Sequence, residues 1–134
     1  MTAEIAKDVA RAFVDAFNHR DAQTLADTIN FPHVRLANGR FLRLETREDF
    51  LAREARVGPA LAAEGWSHTV MESIDVVHEG PDTVHLAIEH TRRHADETVY
   101  QRFETLWIVT LQNGHWGIQF RSSYLPTSID HTTE

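Results

Sequence analysis

No cysteine occurs anywhere in the 134 residues. That excludes disulfides, thiolate nucleophiles and sulfur-ligated zinc, and leaves the redox compartment unspecified. Positive charge is also scarce: 13 Lys and Arg against 20 Asp and Glu give a formal net charge of −7. No overall positive field draws in nucleic acid or an anionic membrane, so neither is an expected partner, and only a local basic pocket stays open. Long apolar runs are missing, and Met1-Thr2-Ala3-Glu4-Ile5-Ala6-Lys7-Asp8 carries acids where a secretory signal needs a basic end. The expected location is the cytoplasm. Glycine is scattered, with no Gly-rich turn after a strand to cradle phosphate. Hydrophobic content of 42% and charged content of 25% suit one globular domain with one core.

Three helices and a sheet are legible. Ile5, Val9, Ala12, Phe13, Ala16 and Phe17 recur at helical spacing over residues 2–19. Asp21 is a good N-cap for a short second helix carrying Leu25, Ala26 and Ile29 and ending near Pro32. Asn38-Gly39, between residues 33–37 and 40–44, is a strong hairpin signal because that dipeptide supplies two positive-φ positions. Thr46-Arg47-Glu48-Asp49 opens a third helix, which Gly58-Pro59 is expected to interrupt and Gly65 to end. From Trp66 onward the period changes to two, giving strands over residues 66–78, 83–94, 98–111 and 115–124. The links are short, so consecutive strands pair antiparallel. The fold class is α+β, one domain over residues 1–125, followed by a polar, aperiodic tail over residues 126–134 that is expected to be loose.

Alternation sorts the strands into two faces. Val84, Leu86 and Ile88, then Phe103, Trp107, Val109 and Leu111, then Trp116, Ile118 and Phe120 form the side that receives the helices. Extending the same parity gives His68 beside Trp66 and Val70, then His90 and Arg92, Gln101 and Thr105, Ser122 and Tyr124 as the pocket lining. Glu89, Thr91, Arg93, Arg102, Glu104, Gln119 and Arg121 fall on the opposite face, which is read as solvated or dimer-forming. His33 and Arg35 compete with Val34 and Leu36 for the inward side, and the pattern leaves the choice open. Whichever of Arg35 and Arg92 points inward is a fixed cation suited to a carboxylate or enolate oxygen.

The order of these elements, with Ala16-Phe17-Asn18-His19-Arg20-Asp21 at the first corner and Gly114-His115-Trp116 followed by Arg121-Ser122-Ser123 on the last strand, resembles the nuclear transport factor 2-like superfamily and its SnoaL-like branch. The resemblance implies a cone-shaped fold, three helices packed in a curved, mainly antiparallel sheet, a pocket at the wide end, and a homodimer through the sheet. It does not fix a function, since such folds host many. The proton-handling positions of the ketosteroid isomerases of this superfamily match Phe13, Ala37 and Trp107, or Thr105 with a register slip; none of these can hold the needed proton, which disfavours that chemistry. Arg92 lacks the inward acids of the epoxide hydrolase relay. Scytalone dehydratase is similar in carrying two inner-face histidines, which His68 and His90 imitate.

Nine histidines raise the question of metal. Residues four apart on a strand lie roughly 13 Å from one another, so His90 and His94 cannot chelate together, and no metal site is expected. Ser122-Ser123 lies in a strand with no elbow and no inward acid, so a serine nucleophile is unsupported. The expected function is therefore a pocket for a small, partly apolar molecule, lined by Phe13, Arg35, Trp66, Arg92, Thr105, Trp107, Ser122 and Tyr124 and needing no cofactor. The alternative is a cofactor-free lyase, isomerase or cyclase in which His68 and His90, near-neighbours on consecutive strands, transfer protons. Arg92 would then stabilise the oxyanion, with Tyr124 as a second donor.

Overall fold

In the computed structural model, which describes residues 1–125, α1 (Thr2–Asn18) lays Ala6, Ala10, Phe13, Val14, Ala16 and Phe17 against the sheet, as the helical spacing predicts. The expected loose tail lies outside the described residues. The Asp21 carboxylate caps α2 (Ala22–Asp27) by accepting from the Thr24 amide at 3.2 Å. This helix stops well before Pro32. The chain is extended from Ile29, so β1 (Ile29–Ala37) begins earlier than the hairpin signal implied. Asn38 and Gly39, with φ of 51° and 76°, turn it into β2 (Arg40–Leu44).

Helix α3 (Arg47–Ala63) is capped by Thr46 and runs through Gly58-Pro59 without a break, contrary to expectation. A proline there removes one backbone hydrogen bond, at a typical cost of about 3 kcal/mol. Val57 and Leu61, fully buried on either side of Pro59, supply the tertiary packing that outweighs it. Gly65, with φ of 79°, ends the helix as predicted.

The strands β3 (His68–Glu79), β4 (Thr83–Arg93), β5 (Val99–Gln112) and β6 (His115–Tyr124) form the expected antiparallel meander. The sheet order is β2-β1-β6-β5-β4-β3, and β1 joins β6 in parallel, the only such pairing of the six described strands. The helices cover one face, where Val84, Leu86, Ile88, Trp107, Val109 and Ile118 make the core.

Two irregularities reset the alternation. On β3, Met71 pairs with His90 but Ser73 pairs with Glu89, so Glu72 is an extra residue. On β6, Ile118 pairs with Val109 but Phe120 pairs with Ile108, so Gln119 is extra. A bulge inserts one residue and exchanges the faces beyond it. The inner side of β3 is therefore Ile74 and Val76 on one side of the bulge and Met71 and Thr69 on the other. On β6 it passes from Trp116 and Ile118 to Arg121 and Ser123.

Candidate functional site

Beyond the bulges, the inner face becomes polar while staying buried. Arg35, Arg92 and Arg121 project from β1, β4 and β6, and Arg53 from α3, none more than 3% exposed. His33, His90, Gln101, Thr105 and Ser123 are buried among them. Register explains the grouping: Arg35 pairs with Arg121, Arg121 with Trp107, His90 with Phe103, and Arg92 with Gln101. Residues paired across strands share a face, so each pair points inward together.

Specific contacts fix these side chains. His33 Nδ1 donates to the Ile118 carbonyl at 3.0 Å, and its Nε2 accepts from Arg121 Nε at 3.1 Å. Burial first, then the Arg121 guanidinium, holds the His33 pKa well below its ordinary 6.5, so the ring is neutral at pH 7 and able to accept. The Arg121 guanidinium also lies 5.0 Å above the Phe13 ring, and Phe13 meets Trp107 edge to face at 4.8 Å. Arg92 donates to Gln101 Oε1 at 3.1 Å and approaches Glu64 at 3.4 Å, where Tyr100 also donates at 2.7 Å. The His90 ring sits between Phe103 and Trp107, 5.5 and 5.4 Å from their centroids. In α3, Glu54 accepts from Arg20 at 2.9 Å and from Arg53 at 3.4 Å.

A family model described as NTF2-like protein (DUF6841) matches residues 3–123. The chain belongs to that family. Solved structures share the NTF2-like fold at low identity. One is an NTF2-like protein of unknown function from Shewanella oneidensis, with 13% identity and a TM-score of 0.74, covering 92% of this chain and 99% of that one. Another is a cystatin-like-fold protein of unknown function from Nostoc punctiforme, with 11% identity and a TM-score of 0.73 over 93% and 91%. A ketosteroid isomerase-like protein from Erwinia carotovora is 17% identical, with a TM-score of 0.69 over 92% and 95%. No curated protein matches the sequence.

Several residues singled out from the sequence of this NTF2-like protein do gather: Phe13, Arg35, Arg92, Thr105 and Trp107 all lie on the inner face, with His90. Three do not. His68 pairs with Arg93 on the outer face and contacts Ser67 and the exposed Glu97, so it does not meet His90. Ser122 pairs with Leu106 and Leu36 on the outer side, and Tyr124 is 67% exposed. The cause is common to all three, since each lies beyond a bulge that the alternation was carried across. Trp66 sits at the edge of the core, against Phe17 at 5.5 Å, its indole donating to Thr69. Arg121 and Ser123 were assigned outward or passed over for the same reason. Arg53 was passed over although Phe50, Arg53, Glu54, Val57 and Leu61 recur at helical spacing, which marks it as inward.

Proposed function

We propose that this NTF2-like protein binds a small, partly apolar molecule on the inner face of its sheet. One observation carries the reading: a face that is aliphatic core in one half holds Arg35, His90, Arg92, Gln101 and Arg121, all buried, in the other. Burying such groups opposes folding, and well-packed apolar residues would serve a core as well or better. Their concentration beside Phe13, Phe103 and Trp107 has the make-up of a ligand site, apolar walls with a few convergent polar groups. Of the two histidines that acid/base chemistry would require, His68 is on the far side of the sheet, which favours binding over turnover.

The test is native mass spectrometry of protein purified without denaturation, followed by extraction of bound small molecules. A stoichiometric, partly apolar adduct is the expected result. Protein that carries no adduct and gains no thermal stability from a broad panel of small organic molecules would refute the reading. The outer sheet face, where Leu36, Val77, Val99 and Tyr124 are exposed, is proposed to pair with a second copy. Light scattering on the eluting species would give twice the chain mass, and a strict monomer would refute the pairing.

A further inference from the structure

The geometry points to an anionic oxygen, that of a carboxylate, as the group by which the bound molecule is held, seated on the row Arg35, Arg121 and Trp107. This rests on the proposed binding role and names its substrate class. The indole of Trp107 is the starting point. It is a donor only, its residue is 1% exposed, and its Nε1 has no hydrogen-bond partner among the described residues. A buried donor of that kind fits an acceptor brought by a ligand.

The neighbours decide what kind of acceptor. Trp107 is the cross-strand partner of Arg121, which is in turn the partner of Arg35. The indole therefore stands at the end of a row whose next two members are guanidinium groups on the same face. Arg121 is held in one orientation, its Nε donating to neutral His33 and its plane over Phe13. A neutral carbonyl oxygen would serve the indole alone, and a cationic ligand would be repelled. A carboxylate has two oxygens, so one takes the indole N–H while the other takes a charge-assisted bond from a guanidinium. Phe13, edge-on to Trp107 at 4.8 Å, supplies an apolar wall for the rest of the molecule.

Matched probes separate the acid from its body: 3-phenylpropionate against 3-phenylpropionamide, titrated calorimetrically into the purified full chain near neutral pH. The acid is expected to bind about tenfold or more tighter than the amide, the ratio set by one added charge-assisted bond. Arg35→Met is expected to remove that preference and leave amide binding unchanged. Trp107→Phe, which keeps the ring and deletes the N–H, is expected to weaken the acid by severalfold with the circular dichroism spectrum intact. Equal or tighter amide binding, or an acid preference that survives both substitutions, would overturn the carboxylate assignment and leave the binding site standing. If neither probe binds at about 1 mM and no adduct co-purifies, the binding role itself fails and the assignment falls with it.

Discussion

The two halves of the inner sheet face are built from the same strands and covered by the same helices, yet they follow different physics. Toward the Gly80 and Asn113-Gly114 turns, Val84, Leu86, Val109 and Ile118 are a close-packed core. Farther along, His90, Arg92, Gln101 and Arg121 are buried to the same degree with polar groups intact. The boundary is drawn on two strands by single inserted residues, Glu72 and Gln119. Burial alone therefore does not identify a core; the chemistry of what is buried separates a half that holds the protein together from a half available to something else.

The largest effect that would break this contrast lies in the apolar half. Leu86→Ala is expected to cost about 2–5 kcal/mol of unfolding free energy in urea titration, as deletions from tight cores do. Arg92→Met, a comparable change in buried volume in the polar half, is expected to leave stability within about 1.5 kcal/mol or raise it, because desolvating the guanidinium offsets its bonds. Similar losses from both would erase the distinction.

Gly117→Ala should be next in size. A methyl group there would lie 2.8 Å from the Asn30 nitrogen and the Ile29 carbonyl carbon, both backbone. Strands β1 and β6 would have to separate beside the Gln119 bulge, at about 1–3 kcal/mol, read from the same titration.

His33 sharpens the comparison through pH. Its folded-state pKa is lowered, by burial first and the Arg121 charge second, from an unfolded value near 6.5. The unfolded chain therefore binds the proton more readily than the folded one. The contribution of this residue is complete above pH 6.5 and is lost as pH falls from there toward the folded value. The slope is at most about 1.4 kcal/mol per pH unit. His33→Gln should flatten this part of a stability profile measured between pH 7 and 5; an unchanged slope would exclude His33 as its source. The smallest effect belongs to His68. His68→Asn, on the outer face, should change stability by less than about 0.5 kcal/mol and leave ligand binding untouched.

Helix caps, hairpin dipeptides and strand periods were legible because each depends on a few adjacent residues: Asp21, Thr46, Asn38-Gly39 and Asn113-Gly114 do in the structure what their chemistry predicts. The fold class followed from their order. The site was only half legible. Arg92, Thr105 and Trp107 lie on strands without a nearby bulge, and simple alternation located them. His68, Ser122 and Tyr124 were misassigned because a bulge leaves little trace in the residues that form it; Glu72 and Gln119 look like ordinary outward positions. Pairing geometry held a clue for His68. In an antiparallel pair the two residue numbers have a constant sum between bulges, and the turn near Gly80-Pro81 makes that sum odd at the far end, as Met71 with His90 shows. Two even-numbered residues, His68 and His90, then fall on opposite faces.

The parallel joint between β1 and β6 also orders events in time. His33 and Arg121, which bond across it, are 88 residues apart in the chain, whereas the turns that build the meander are local. Loop closure over such a span is favourable only when the partner strand already exists. During synthesis the hairpin carrying Arg35 waits with an unpaired edge until β6, the last strand described, has emerged. The row of Arg35, Arg121 and Trp107 is thus completed late, and a chain cut short before Arg121 keeps its helices and most of its meander but never acquires that row.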